Sequence, residues 1–349
     1  AGDLHHYARY EPTAATRADT PHRFTCGGGG AYLLGTHDLP KDLSFKSGQG
    51  RQQYRQRTRF PDVETSKGLR NKAWRLPTRN FVFCSLLAAV YLLYAWVLQS
   101  ASKVPSVGLH RVTLMEYLSD YPITFGNAFV VLPVAVFNAT AHSPSSVLLT
   151  LGVVVGAAVF TASSAEENKR RAWLGGAIHG MLHLGLALML LWAAALFNLG
   201  TVAPALGRDA ASFVDHPLQV LLFTVEASVL GGVLGGLLFG SWMMITNAWL
   251  GWHHDEVFSS QGIADYKCFL RLRLDASGLT IYPLKIAKAC SKWKAGVGVT
   301  VLTQLGRTWR LRVTPGSGPR FEPVEPIAIE LIEQPIHIPV TSPHPQSTP

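Results

Sequence analysis

The chain has 349 residues, enough for two or three domains, and its 48% apolar and 15% charged residues make it rich in apolar residues for a soluble protein. Its 31 Lys and Arg against 22 Asp and Glu flank long apolar runs, which favours a membrane protein over a nucleic-acid binder. The four cysteines lie far apart without a Cys-x-x-Cys pair, so neither a disulfide framework nor a zinc ribbon is indicated.

The first stretch that points to chemistry is Gly2-Asp3-Leu4-His5-His6. In a loop at a strand end, Asp3 and His5 face the same side because they are two residues apart, whereas His6 faces the other side. A carboxylate beside an imidazole suits Zn, Mn or Fe in a hydrolytic site, where the metal lowers the pKa of bound water. The alternative is an ordinary polar turn with surface histidines.

Residues 1–40 read as the end of an α/β domain, with a strand at 24–26 and a second apolar segment at 31–34. A glycine run between them predicts a tight turn, and the alternative is a loop whose backbone N–H groups face an anion. No Gly-Lys-Ser or Gly-Lys-Thr follows, so the run is not a P-loop. His37 is either part of a capped turn before Asp38 or a ligand. The glycine run consists of Gly27, Gly28, Gly29 and Gly30.

Residues 41–80 are strongly basic, with 11 Lys and Arg against Asp42, Asp62 and Glu64. This composition predicts a solvated stretch. We place the end of the N-terminal domain at residue 60 and a basic juxtamembrane linker at 61–80. From residue 81 the charges stop, and a transmembrane region is predicted over 81–252.

The apolar runs of this region predict spans at 81–101, 146–163, 173–198 and 217–250. A further run at 124–141 is interrupted by Asn127, Pro133 and Asn138, so it is either a fifth span or a segment in the membrane interface. With four spans, the positive-inside rule places both the N-terminal domain and the C-terminal domain in the cytoplasm. A fifth span would put the C-terminal domain outside. Either arrangement is a multi-pass protein of the cell membrane.

Three ionisable side chains lie inside the predicted spans. His179 and His183 are four residues apart and share a helix face, and Glu226 is the only charge of the last apolar run. Such groups usually pair or line a pathway, so one interpretation is a cluster of the three side chains for a metal, a haem or protons. The interpretation that we favour, because no fourth partner is evident, is that the histidines make hydrogen bonds between helices and that Glu226 lies near an interface.

Two further patterns surround the last span. Gly232, Gly236 and Gly240 form a stripe that allows close helix packing, either within the chain or across a seam between two copies of it. Residues 253–256, His-His-Asp-Glu, read as polar anchoring beside the membrane. A metal site is the alternative there, but four adjacent residues cannot all face one ion.

The C-terminal region is predicted to be a small antiparallel β-domain over 253–338. Residues 267–274 alternate between apolar and basic side chains, 275–278 form a turn, and 279–282 read as the return strand. Further strands are predicted at 308–313 and 327–332. The Pro- and Ser-rich segment 339–349 is expected to be a disordered tail.

Several stretches resemble a known enzyme family. Gly2-Asp3-Leu4-His5 has the Gly-Asp-x-His form of the last metal motif of calcineurin-like metallophosphoesterases, and the resemblance is specifically to a bacterial membrane-linked branch of that family. The similar stretches are residues 2–10, 25–31, 36–40, 252–260, 263–267 and 331–336.

The resemblance implies a centre of two divalent ions, Mn, Fe or Zn, which hydrolyses a phosphoester with metal-activated water. Asp3 and His5 fall on ligand positions. His6 and Arg9 become catalytic candidates, and Tyr7, the glycine run and His37 fall at the rim of the phosphate pocket.

The family's other motifs are absent from the sequence: a separate Asp-x-His besides Asp3-Leu4-His5, Gly-Asp-x-x-Asp, and Gly-Asn-His followed by Asp or Glu. We therefore expect a C-terminal fragment that is inactive, or nearly so, by itself. The expected fold class is mixed: the end of a four-layer α/β metallophosphoesterase domain, about four and at most five transmembrane helices, and a small antiparallel β-domain.

The expected function is that of a membrane-anchored metal-dependent phosphoesterase. Its partners are then a phosphoester substrate, the lipid bilayer and, through the glycine stripe, a second copy of the chain, with no nucleic acid. The alternative function is an integral membrane transporter, haem-binding bundle or sensor in which the N-terminal piece is accessory.

Overall fold

A computed structural model describes residues 4–13, 21–30, 32–47, 50–101, 104–105, 111–141, 143–165, 168–297, 299–304, 307–313 and 319–339. The chain divides into two compact units. The first, which we call the terminal unit, combines residues 1–68 with residues 262–349. The second, which we call the bundle, comprises residues 69–261. Whereas the sequence suggests separate N-terminal and C-terminal domains, the two ends of the chain belong to one unit.

The N-terminal part of the terminal unit is a four-stranded antiparallel sheet, in which the first strand lies between the second and the fourth, and the third pairs with the other edge of the fourth. A small core of Ala8, Tyr10 and Tyr54 lies against it. The sheet is followed by the first turns of helix α1 (Val63–Arg70). The α/β layers of a metallophosphoesterase domain do not appear among the described residues. The strands are β1 (Tyr7–Pro12), β2 (Arg23–Cys26), β3 (Asp42–Ser47) and β4 (Gly50–Phe60).

The expectation of a solvated stretch from residue 41 onwards is wrong for residues 42–47 and 50–60, which form β3 and β4. Along β4 the basic side chains of Arg51, Arg55 and Arg57 are exposed, while Tyr54 between them is fully buried. A strand directs successive side chains to opposite faces, so a basic segment can still cover a core with its other face. Composition alone concealed this alternation.

The C-terminal part of the terminal unit is built around the hairpin of β7 (Lys267–Asp275) and β8 (Gly278–Ile286). The turn before β8 uses Gly278 at φ +140°, a conformation that favours glycine. Two short strands pair with the other edge of β8, and the remaining strands form two separate pairs. These strands are β9 (Trp293–Ala295), β10 (Val299–Gln304), β11 (Arg307–Val313), β12 (Phe321–Pro323), β13 (Glu330–Leu331) and β14 (Ile336–Pro339).

The predicted strands at 267–274, 279–282 and 308–313 are therefore present, and the one predicted at 327–332 is reduced to β13. Pro339, expected to begin a disordered tail, instead ends β14 and pairs with Gly278. Residues 340–349 lie outside the described residues.

In the bundle, four helices are long and apolar enough to span a membrane, which makes this a membrane protein. They cover Phe81–Ser100, Pro144–Ser163, Lys169–Ala205 and Pro217–Leu250. The helix at the uncertain position, α5 (Phe125–Ala141), has 17 residues. At a rise of 1.5 Å per residue it is about 25 Å long, short of a hydrocarbon core of roughly 30 Å.

The helices of the bundle follow one another closely, and the predicted linker at 61–80 is itself mostly helical. After α1 come a 3₁₀ turn at Ala73–Arg75 and the elements α2 (Leu76–Arg79), α3 (Phe81–Ala101), β5 (Val104–Pro105), β6 (Arg111–Val112), α4 (Leu114–Ser119), α5 (Phe125–Ala141), α6 (Pro144–Ser163), α7 (Lys169–Phe197), a π-turn at Asn198–Val202, α8 (Ala203–Ala205), α9 (Ala210–Phe213), α10 (Pro217–Leu250) and α11 (Glu256–Ser259).

Helix α6 packs along α7, and α3 packs along α10. In the glycine stripe of α10, Gly232 and Gly236 lie in the second of these contacts, and Gly240 lies against the turn before α2. A Cβ at Gly236 would lie 2.6 Å from Cys84 Sγ of α3, and a Cβ at Gly240 would lie 2.2 Å from the carbonyl oxygen of Ala73. Gly232 similarly faces the backbone of Cys84. The stripe is therefore used for packing within the chain, one of the two alternatives that the sequence left open.

Candidate functional site

The histidine pair of the N-terminal motif immediately precedes β1, which lies between β2 and β4 in its sheet. The backbone of this pair is held on both sides. The amide of Gly27 donates to the carbonyl of His6 at 3.2 Å, and the amide of Leu34 donates to the carbonyl of His5 at 3.2 Å. These hydrogen bonds fix the backbone positions from which both imidazole side chains project. Asp3, the predicted companion ligand, lies outside the described residues.

The imidazole of His5 sits between an aromatic ring and a glycine. It meets Tyr32 edge-on, with ring centroids 4.5 Å apart. A Cβ at Gly30 would lie 2.7 Å from His5 Nε2, so a side chain there would displace the ring. The close approach explains why glycine suits position 30.

Each of the two imidazoles has one nitrogen without a partner. His5 Nδ1 and His6 Nδ1 are buried, and no described residue forms a hydrogen bond with either. Burial, reinforced by the neighbouring His5, lowers the pKa of His6 to about 4, so His6 is neutral at neutral pH. A neutral imidazole with a free nitrogen is the form that binds a metal ion.

An unpartnered nitrogen on His5 thus fits one ligand of a metal ion. It does not make a complete centre, because the described residues contain no group of three His, Cys, Asp or Glu side chains able to hold an ion. Further donors would have to come from outside the described residues.

The glycine run forms the predicted tight turn, with the amide of Gly30 donating to the carbonyl of Gly27 at 3.1 Å. The turn rests on the first residues of β7. Lys267 Nζ donates to the carbonyl of Gly30 at 2.7 Å, and a Cβ at Gly28 would lie 2.2 Å from Cys268 Sγ. The glycines at positions 28 and 30 are therefore explained by packing, without an anion.

Tyr7 and Arg9, the other predicted site residues of this region, both face a carboxylate that sequence reasoning missed. Tyr7 donates its hydroxyl proton to Glu333 Oε1 at 2.5 Å. Arg9 donates to the same carboxylate from Nε at 2.9 Å and from Nη2 at 2.6 Å, and Thr58 adds a hydrogen bond at 2.9 Å. The remaining nitrogen of Arg9 pairs with Glu11.

This network, which we call the Glu333 network, consists of Tyr7, Arg9, Thr58 and Glu333. It joins β1 and β4 to the segment between β13 and β14. Because the guanidinium of Arg9 is occupied by two carboxylates, its geometry is that of a structural ion pair and not of a free phosphate clamp. The only sequence signal for Glu333 was its place in the similar stretch 331–336.

His37 is also engaged. Its Nδ1 lies 2.9 Å from Ser66 Oγ, and its Nε2 lies 3.0 Å from Asp38 Oδ2. Ser66 Oγ additionally accepts from the amide of Thr36 at 2.9 Å. With both ring nitrogens in use, His37 belongs to a capped turn, the first of the two alternatives.

The bundle contains a second group of histidines. His179 Nε2 and His183 Nε2 are 3.1 Å apart, and the hydroxyl of Tyr91 lies 2.7 Å from His183 Nδ1. His179 stacks on Trp242 at 4.9 Å, with the two rings nearly parallel. The face shared by the two histidines was predictable from their spacing. Their contacts with Tyr91 of α3 and Trp242 of α10 were not.

Glu226 does not join these histidines. Its carboxylate accepts a hydrogen bond from Asn198 Nδ2 at 2.8 Å. The rings of both histidines lie instead beside Phe239, thirteen positions further along α10 than Glu226. At 1.5 Å per residue, this separates Glu226 from Phe239 by about 20 Å along the helix. Glu226 therefore does not form a cluster with the two histidines, and His183 instead contacts Tyr91 of another helix, in line with the favoured interpretation.

His253, which was expected to be a polar anchor at the membrane surface, is fully buried. It stacks on Phe160 with ring centroids 4.8 Å apart, and neither of its ring nitrogens has a hydrogen-bond partner among the described residues. Burial, together with the adjacent His254, lowers the pKa of His253 to about 4. Its burial follows from the left-handed turn at Gly251 (φ +67°), which ends α10 and returns the chain toward α6.

Comparisons with protein families, with curated proteins and with solved structures found no match for this chain.

Proposed function

We propose that this chain is the membrane-anchored part of a metal-dependent phosphoesterase. Asp3 and His5 are then ligands at one edge of a centre of two divalent ions, Mn, Fe or Zn. The observation that carries the proposal is the buried and unpartnered His5 Nδ1, on a ring held between Tyr32 and Gly30 at the start of β1. An unsatisfied buried nitrogen is costly unless something binds it.

The ions, when bound, would polarise a phosphoryl oxygen and lower the pKa of a bound water. The chain's own residues have simpler tasks in this proposal. His5 donates a lone pair from a fixed position, and neutral His6 stays beside it as the candidate proton acceptor. Tyr7 and Arg9 hold β1 in place through the Glu333 network, while the turn at 27–30 borders the phosphate pocket.

The proposal also includes the cellular arrangement. The basic residues before α3 and in the C-terminal part favour a cytoplasmic terminal unit carried by a multi-pass bundle in the cell membrane. Because the described residues hold no group of three ligands, the complete centre depends on donors outside them.

The test compares His5→Ala with His22→Ala in the full-length protein, since His22 is an exposed histidine of the same unit. Bound metal is measured by elemental analysis, and activity by Mn²⁺-dependent hydrolysis of bis(p-nitrophenyl) phosphate. We expect His5→Ala to weaken metal binding by at least about tenfold and to lower hydrolysis with it, because second-shell changes alone cost roughly that much. His22→Ala should retain both. Equal metal content and activity in the two variants would refute the role of His5.

A further inference from the structure

Two of the four free cysteines lie side by side in the terminal unit, although 242 positions separate them in the sequence. Cys26 is the last residue of β2, and Cys268 is the second residue of β7. Their sulfur atoms are 3.8 Å apart. Each strand lies at the edge of its own sheet, so the two thiols meet where the N-terminal part of the unit contacts the C-terminal part.

The turn that follows Cys26 makes room for this contact. A Cβ at Gly28 would lie 2.2 Å from Cys268 Sγ and 3.0 Å from the backbone nitrogen of Cys268. The sulfur of Cys268 therefore occupies space that a side chain at position 28 would take. Lys267 holds the same turn through its hydrogen bond to the carbonyl of Gly30. The absence of a side chain at Gly28 is thus what lets the two sulfurs approach each other.

The two thiols differ in their access to solvent. Cys268 is 3% exposed, whereas Cys26 is partly exposed. A reagent in solution therefore reaches Cys26 first, with the thiol of Cys268 already in contact. An accessible thiol beside a second one is the arrangement in which an oxidised cysteine is captured as a disulfide. The other two cysteines are placed differently, since Cys84 is buried in α3 and Cys290 Sγ donates to the carbonyl of Lys292 at 2.9 Å.

We propose that Cys26 and Cys268 form a site of reversible oxidation, at which a peroxide converts the two thiols into a disulfide. In the first step, the sulfur of Cys26 attacks one oxygen of hydrogen peroxide. The O–O bond breaks, Cys26 becomes a sulfenic acid, and its thiol proton leaves with the other oxygen as water. In the second step, the sulfur of Cys268 attacks the sulfur of Cys26, and the hydroxyl group leaves with the second thiol proton as water. Two thiols and one hydrogen peroxide thus give one disulfide and two waters, and a thiol reductant reverses the reaction.

The disulfide needs little movement and has a defined consequence. A disulfide bond is about 2.05 Å long, so the sulfurs must close from their present 3.8 Å. The bond would tie β2 covalently to β7, across a junction that the Glu333 network otherwise holds by hydrogen bonds. A disulfide formed only during oxidation suits the cytoplasmic placement proposed above, because reducing conditions there keep thiols reduced at other times. This inference does not depend on the proposed phosphoesterase activity.

Peptide mapping of the full chain tests the proposal. The reduced protein in detergent is treated with hydrogen peroxide, alkylated, and digested with trypsin without reductant. We expect one linked pair of peptides, residues 24–41 with residues 268–271, which a thiol reductant separates. Cys268→Ser removes the second thiol, so the linked pair should be lost and dimedone should trap Cys26 as a sulfenic acid. Cys290→Ser is the control and should keep the linked pair.

Two glycine variants test the geometry and keep every cysteine. Gly28→Ala places a methyl group where Cys268 Sγ lies, so it should slow formation of the linked pair by at least about fivefold, the effect of a modest overlap. Gly29→Ala is the matched control in the same turn, because a Cβ at Gly29 meets nothing within 4 Å. It should react as the wild type does.

Three results would overturn the proposal. One is the absence of the linked pair in the wild type after peroxide has fully oxidised Cys290. Another is a disulfide that joins Cys26 to Cys290, or that joins two chains, in place of the pair within one chain. The third is an equal rate of formation in Gly28→Ala and Gly29→Ala.

Discussion

At the scale of single residues, the best-supported interaction of the terminal unit is the Glu333 network. Glu333 and Arg9 are 13% and 11% exposed, and they meet through two well-formed hydrogen bonds. Bidentate pairs of this kind are stronger than ordinary surface ion pairs. Most of the stabilisation is lost if one partner is removed and the other stays buried.

Glu333→Gln is therefore expected to destabilise the terminal unit by about 2 kcal/mol, because Arg9 loses its carboxylate but keeps its nearly buried position. The measurement is hydrogen exchange, followed by mass spectrometry, on peptides from β1 and β4 in the full chain. Glu330→Gln is the control. Glu330 pairs with Lys285 but is 62% exposed, so the change should stay within about 0.5 kcal/mol. Similar effects of the two variants would contradict the prediction.

The carboxylate of Glu333 also makes the stability of the terminal unit depend on pH. Burial alone raises the pKa of Glu333, but hydrogen bonds from Arg9, Tyr7 and Thr58 outweigh burial and hold the pKa below its usual 4.5. A pKa lowered by folding stabilises the folded state above 4.5, and this stabilisation is lost as the pH falls through the lowered value. The difference in thermal stability between wild type and Glu333→Gln should therefore shrink on acidification. A difference that stays constant into strong acid would contradict this.

At the scale of elements, α10 packs closely against α2 and the turn before it. Gly240 approaches the backbone of Ala73 and the side chain of Leu76 so closely that a Cβ would overlap the Ala73 carbonyl. The small-residue spacing was visible in the sequence. Which helix fills the groove was not, because a small residue leaves space for any partner.

Gly240→Leu should separate α10 from the 73–76 segment and destabilise the bundle by about 1–3 kcal/mol, as overpacking does. Thermal unfolding in detergent measures this, with Gly185→Leu as a control that meets open space. If Gly240 belonged to a seam between two copies instead, Gly240→Leu would leave the monomer as stable as the control and change only the oligomeric state.

At the scale of the whole molecule, the two ends of the chain meet in one unit. Arg9 near the N-terminus contacts Glu333 near the C-terminus at 2.6 Å, and Lys267 Nζ lies 2.7 Å from the carbonyl of Gly30. Residues on opposite sides of a hydrocarbon core of roughly 30 Å cannot make such contacts. The topology that we propose, four spans with α5 as an interfacial segment, is consistent with these contacts, because an even number of crossings returns the chain to the same side of the membrane.

Introduced cysteines at exposed positions test this arrangement in sealed vesicles. A membrane-impermeant maleimide should reach Lys46→Cys and Lys292→Cys from the same side, because both positions belong to the terminal unit. Arg208→Cys, in the loop between α7 and α10, should be labelled from the opposite side. Labelling of Lys46→Cys and Lys292→Cys from opposite sides would require a fifth span.

The sequence by itself determined the four long apolar helices, the hairpin of β7 and β8, the tight turn at 27–30 and the shared face of His179 and His183. All of these depend on local composition or on a spacing of a few residues, which helix and strand geometry fix directly. Strands β3 and β4 also have a local pattern, but their basic composition outweighed it in the prediction.

Only the tertiary structure decided the rest. It pairs Arg9 with Glu333, 324 positions away, and buries His253 against Phe160. It also pairs His183 with Tyr91, while Glu226 pairs with Asn198. The physical reason is the same in each case. A buried polar group must find a partner, and nothing in its local sequence says which distant segment will supply that partner.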